Sequence, residues 1–88
     1  MIYWMSDRTN RILEDAHIGV IGFQPGCYGA CAAVTLELPD GSRTLWLGDV
    51  RGMADDEIDA HFAEEMLALG LAAHDDDLIA VGDELLAA

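Results

Sequence analysis

The chain has 88 residues, 52% of them hydrophobic, and a formal net charge of −13. That is enough apolar material for one small domain with a thin core and too much for a disordered chain. No apolar run approaches the ~18 residues of a membrane span, and the net charge argues against direct binding to nucleic acid or an anionic membrane and for basic partners.

The charge is lopsided. Residues 52–88 hold eleven acids and no lysine or arginine, whereas residues 1–51 hold six acids against Arg8, Arg11, Arg43 and Arg51. Coding bias or salt adaptation also gives a lysine-free, acidic profile, but spreads the acid over the whole surface. The start of the chain, Met-Ile-Tyr-Trp-Met, lacks a basic segment followed by an apolar stretch and a cleavage site. No signal peptide is expected, and the default location is cytoplasmic. Cys27 and Cys31 are then expected to be reduced.

In chain order, residues 2–5 read as a short strand. Ser6 is a suitable N-cap for a short helix over about 7–16, with Ile12, Leu13 and Ala16 facing inward. Asp7, Arg11 and Asp15 lie four apart, a spacing that permits pairing along one face. Residues 17–23 read as a strand whose two glycines, Gly19 and Gly22, suggest a bulge or close packing. Residues 24–29, with Pro25, Gly26 and Gly29, read as a loop.

The clearest local signal is a hairpin over about 31–48, two strands flanking Pro39-Asp40-Gly41-Ser42. A four-residue loop sets Leu38 opposite Arg43, Leu36 opposite Leu45 and Val34 opposite Leu47. Val34, Leu36, Leu45 and Leu47 then share one face, with Thr35, Glu37, Thr44 and Trp46 on the other. A three-residue loop would split the apolar face, so burial prefers the first register.

After a connector over 49–54, the main helix is expected over about 55–69. Ile58, Phe62, Met66 and Leu69 recur at helical spacing. Asp55, Asp56, Glu57 and Asp59 crowd its start, where the helix dipole favours them, and Gly70 is the expected C-cap. The phrase Leu-Ala-Leu-Gly-Leu, then a polar turn, then Leu-Ile-Ala-Val resembles the helix-to-wing passage of winged-helix domains. That resemblance implies a small hairpin after the helix, with Asp75, Asp76 and Asp77 in an exposed turn; three aspartates do not suit a DNA-binding wing. Residues 82–88 read as a short tail. The fold class is α+β: a small antiparallel sheet packed with one main helix and a short N-terminal helix, the whole of 1–88 forming a single compact domain.

Chemistry-bearing constellations are sparse. Cys27 and Cys31 form a single, widely spaced pair, and His17, His61 and His74 are far apart, so no zinc site is predicted. Acidic surroundings raise a thiol pKa, which argues against Cys27 as a nucleophile. Asp75, Asp76 and Asp77 lack the alternation and the glycine of a calcium loop. The glycine pairs have no basic neighbour to meet a phosphate. No cofactor, metal or enzymatic activity is expected. His61, beside the apolar stripe, reads as a boundary residue. Trp46 either packs under a covering helix or anchors an interface.

Acid at a helix start serves solubility and the helix dipole. The sharper alternative is a decoy for the phosphate backbone, since a nucleic-acid-binding groove attracts clustered negative charge. In size, single-domain build and acidity the chain resembles the small phage-encoded inhibitors of bacterial defence, of which anti-CRISPR proteins are the best-known set. The resemblance implies a non-enzymatic, stoichiometric inhibitor that docks on a basic DNA- or RNA-handling surface of a Cas complex and blocks target binding. Candidate contacts are Asp55, Asp56, Asp59, Glu64, Asp75, Asp76 and Asp77, with Trp46, Arg43 and Arg51 fixing orientation at the rim. An acidic antitoxin-like or regulatory module is the alternative. An exposed strand edge would also admit a homodimer. Helix-dipole complementation accounts for the first acidic patch and not for Asp75, Asp76 and Asp77, which makes those three the first place to test mimicry.

Overall fold

The computed structural model describes residues 3–24 and 32–87. It is an α+β arrangement in the order α1 (Asp7–Asp15), β1 (Gly19–Gln24), β2 (Ala32–Leu38), β3 (Gly41–Gly48), α2 (Asp55–Ala73) and α3 (Asp76–Leu86). Among the described residues, the strand expected over 2–5 is absent. Tyr3, Trp4 and Met5 form a turn and a bend, and Ile2 lies outside the described residues. Trp4 and Met5 are both buried, which a one-faced strand with alternating sides does not permit. The Trp4 ring packs edge-on to Phe23 and tilted to Phe62, with centroids 5.5 and 5.6 Å apart.

Helix α1 forms where the sequence places it. Ser6 Oγ accepts from Thr9 N at 3.1 Å, and Ile12 and Leu13 are buried. Among the described residues no ion pair joins Arg11 to Asp7 or Asp15. The chain reverses just past the C-cap Ala16, at His17, which takes the left-handed conformation at φ 60. His17 N donates to Glu14 O at 3.0 Å and Ile18 N to Leu13 O at 2.9 Å, so two terminal carbonyls are satisfied while Leu13 and Ile18 are both buried. This reversal delays the strand to Gly19, two residues after the expected start.

The sheet is antiparallel with strand order β1-β2-β3. The irregularity expected of the first strand is present, a register shift between Val20 and Gly22. The expected loop over 24–29 contributes Gln24 to β1; the rest of it, with Cys27 and Cys31, lies outside the described residues.

The hairpin register differs from expectation. Leu38 pairs with Gly41, Leu36 with Arg43 and Val34 with Leu45, leaving a two-residue turn, Pro39-Asp40. Proline excludes the mirror-image turns that need positive φ at its position; the positive φ falls instead on Gly41, at +137°. The shift is two residues, so the faces survive. Val34, Leu36, Leu45 and Leu47 are buried, while Glu37, Thr44 and Trp46 are exposed. Side chains alternate with period two, so burial specifies parity and leaves an even shift to the turn.

The largest departure is C-terminal. Helix α2 continues through Gly70 to Ala73, and His74 makes the reversal at φ 53, with Asp75 N donating to Gly70 O at 3.0 Å and His74 N to Leu71 O at 3.3 Å. Gly70 is therefore not the C-cap. A Cβ there would lie 2.7 Å from Ile79 N, and one on Gly82 would lie 2.7 Å from Leu67 Cα. Both glycines let two helix backbones touch. Where a winged-helix-like hairpin was expected over 71–81 and a tail after it, α2 runs on to Ala73 and α3 follows over Asp76–Leu86, antiparallel to α2. Leu78, Val81, Gly82 and Leu85 are its buried stripe.

Inner sheet residues and helix residues share one core, including Val34, Leu36, Leu47, Ile58, Phe62 and Met66. Fully burying each large apolar side chain contributes ~1.5–3 kcal/mol. The sheet's other face carries no helix among the described residues. No described helix is long and apolar enough to cross a membrane.

Candidate functional site

The paired helices carry the acid, and each carboxylate group has a local setting that decides what it is free to do. Asp55, Asp56 and Glu57 occupy the first turn of α2 and are exposed. The N-cap is Ala54, which has no side-chain acceptor; Glu57 reaches back to Ala54 N at 3.4 Å. Asp59 has an internal role. It accepts from Thr9 Oγ1 at 3.1 Å and Ser6 N at 3.5 Å, placing its carboxylate at the positive end of α1.

Asp75, Asp76 and Asp77 form no hairpin turn. Asp75 is the N-cap of α3: its Oδ1 accepts from Asp77 N at 3.0 Å and Leu78 N at 3.3 Å. Asp76 and Asp77 fill the first turn and are exposed. Capping and the helix dipole therefore account for this patch as they do for the first.

Different residues lack such an account. Asp83 and Glu84 lie near the C-terminal end of α3, where the dipole disfavours carboxylates, and the last turn contains no basic residue. Compensation comes from Arg8 on α1. Its Nη1 donates to Leu85 O at 3.1 Å, and its Nη2 to Glu84 O at 2.6 Å and Ala87 O at 2.7 Å. Arg8 thus closes the end of α3 from another element, a role that no local pattern signals. Glu64, exposed on the outer side of α2, sits near His61, 3.7 Å from its Nδ1. His61 Nε2 is 2.6 Å from Leu47 O; because a carbonyl only accepts, Nε2 carries a hydrogen. The ring is half-buried and ties α2 to the edge of β3.

The close approaches of Gly70 to Leu78 and Ile79, and of Gly82 to Leu67, fix how α2 and α3 align. In that alignment the acids form three bands along the pair: Asp55, Asp56 and Glu57 at one end; Glu64, Glu65, Asp83 and Glu84 in the middle; Asp75, Asp76 and Asp77 at the other end. At 1.5 Å per residue the bands are ~13 Å apart. The two patches singled out in the sequence are therefore at opposite ends, joined by a middle band.

The remaining candidates lie elsewhere. Trp46 is 60% exposed on the helix-free face of the sheet, with no covering element among the described residues. Arg51 is held by Asp49 through contacts of 2.9 and 2.7 Å. The hydrogen bonds from Arg51 hold the Asp49 carboxyl down at about 2, and Asp49 raises Arg51 in return. Arg43 lies 3.8 Å from Asp40 at the hairpin tip. Among the described residues no group of three His, Cys, Asp or Glu side chains is placed to hold a metal ion. No family model matches the chain, and neither a curated protein nor a solved structure does.

Proposed function

We propose that the protein is a non-enzymatic inhibitor whose acidic helix pair occupies a basic nucleic-acid-binding surface of a partner complex, in the manner of an anti-CRISPR protein that blocks target DNA binding in a bacterial cytoplasm. The observation that carries this reading is the middle acidic band. Glu64, Asp83 and Glu84 are exposed, cap no helix start, and in the case of Asp83 and Glu84 sit where the helix dipole opposes them. Neither capping nor the helix dipole explains acid at these positions; a basic partner would.

Charge density supports the same reading. Helix α2 has 19 residues and spans ~28 Å, a length of duplex that carries ~16 phosphate charges. The chain places eleven acids in residues 52–88; with Asp59 turned into the fold, ten remain, about two-thirds of the duplex value. The working contact set is Asp55, Asp56, Glu64, Asp76, Asp77, Asp83 and Glu84.

A second reading, an acidic antitoxin-like or regulatory module, is favoured by the open sheet face, where exposed Trp46 and Ile21 offer apolar anchors. The experiment that separates the two is target-DNA binding by purified Cas effector–guide complexes with increasing amounts of this protein. Mimicry predicts stoichiometric loss of DNA binding that weakens as salt rises from 50 to 200 mM. Binding that is equally strong with DNA already in place refutes mimicry and favours the second reading.

A further inference from the structure

The turn of the β2–β3 hairpin and the start of α3 enclose a half-open cleft of about 410 Å³. Its floor is the edge of the core: Ile18, Leu38, Leu78 and Val81, all buried. Its rim carries Asp40, Asp75 and Asp77, and no basic side chain lines it. Asp75 uses Oδ1 for the α3 cap, which leaves Oδ2 without a donor among the described residues. Asp77 makes no side-chain hydrogen bond or ion pair among them, and Asp40 has only the loose 3.8 Å approach of Arg43. The pairing of apolar floor and anionic rim is not visible in the sequence, because the hairpin tip and the start of α3 are 35 positions apart (75 less 40).

We infer that this cleft receives a basic side chain of a protein partner, an arginine or lysine presented next to an apolar residue. The inference rests on the reading above, that the partner offers a basic surface, and it names where that surface is gripped. Arginine and lysine have apolar stems and charged heads, and they lay the stem on apolar surface while the head stays with polar groups. Here the stem and its apolar neighbour lie on Leu38, Leu78 and Val81, and the head meets carboxylates at the rim through charge-assisted hydrogen bonds. The volume falls in the range of ~300–1,000 Å³ in which ligand pockets lie and exceeds what one side chain fills. Its half-open shape leaves one side of an occupant in water, as for a segment held by a larger protein; small-molecule pockets bury ~70–90% of their ligand.

The test uses amide chemical shifts of the full chain titrated with acetyl-Leu-Arg-Leu-Arg-amide, and with acetyl-Gly-Arg-Gly-Arg-amide as an equally charged control. The leucine peptide is expected to shift Ile18, Leu38, Leu78 and Ala80 saturably and to bind at least fivefold more tightly than the glycine peptide. Ala80 is exposed on the cleft wall, so Ala80→Trp fills the cleft without altering charge and should weaken the leucine peptide at least tenfold. The double variant Asp40→Asn/Asp77→Asn keeps the shape and the Asp75 cap, and should flatten the salt dependence. Equal binding of the two peptides, shifts spread over the acids of α2 and α3, or indifference to Ala80→Trp overturns the inference while leaving the acidic-surface reading intact. That reading fails separately, if neutralising Glu64, Asp83 and Glu84 has no effect on DNA competition.

Discussion

Gly82→Ala tests the helix pair most sharply. In the interior of an ordinary helix this change stabilises by ~0.5–1 kcal/mol, because alanine has less backbone freedom to lose. Here the new Cβ would meet Leu67 Cα at 2.7 Å and Leu67 N and Cβ at 2.8 Å. Carbon atoms at rest sit ~3.5–4.0 Å apart, so α3 must move off α2 by ~1 Å. Two of the three close atoms are backbone and have no rotamer to escape into. Overpacking of this kind costs ~1–3 kcal/mol, and the separation also weakens packing around Leu78, Val81 and Leu85. The net expectation is a loss of ~1–2 kcal/mol, a fall in Tm of ~4–16 °C for a domain of this size. Circular dichroism at 222 nm during thermal and urea unfolding reads it, with Ala80→Gly on the exposed side of the same helix as a control that loses only its propensity term. A rise in Tm for Gly82→Ala would refute the close crossing and return residues 78–88 to a loosely attached segment.

Other expectations follow from single contacts. Ala54 has N-cap geometry, φ −72 and ψ 160, without an acceptor; Ala54→Ser should add ~1 kcal/mol in urea unfolding. His74→Gly should add ~0.5–1 kcal/mol, because the left-handed conformation at φ 53 is strained for histidine and free for glycine. Arg8→Met removes the donors from three terminal carbonyls, and should cost ~1 kcal/mol and speed hydrogen exchange in the last turn of α3. Asp49 has a folded pKa of about 2, below the ordinary 3.8. Its contribution to stability is therefore complete above about pH 4 and is lost as pH falls through 2. A carboxyl NMR titration should show Asp49 at its depressed value and, in Arg51→Ala, back near the ordinary one.

How much of this was legible in the sequence depends on what each signal encodes. Ser6 and the apolar spacing of α2 are local signals, and α1 and α2 start where those signals place them; the Pro39 turn is local too but closes in two residues, Pro39-Asp40, and not the expected four. Parity of the hairpin faces was legible because burial acts on every second residue, whereas the register depended on turn geometry at Pro39 and Gly41. Gly70 was ambiguous: a glycine that ends a helix and one that lets a second helix approach look alike until the partner is placed. Helix α3 left a readable pattern, Leu78, Val81, Gly82 and Leu85 at i, i+3, i+4 and i+7 behind an acidic first turn, which the likeness to a wing concealed. The site suffered most from this. With Asp75 seen as a cap, the weight of the mimicry reading moves from the three aspartates to Glu64, Asp83 and Glu84. Arg8, the Asp59 tether and the cleft join residues distant in sequence, and only packing reveals them.

We propose that the middle acidic band addresses a basic nucleic-acid-binding surface. The most direct test is the salt dependence of affinity for a Cas effector–guide complex, wild type against Glu64→Gln/Asp83→Asn/Glu84→Gln. A steep fall in affinity with salt is expected for the wild type, and for the triple variant a shallower slope, at least tenfold weaker binding at 50 mM salt and an unchanged or slightly raised Tm, since two of the three charges oppose the α3 dipole. Identical slopes and affinities for the two proteins would contradict the proposal.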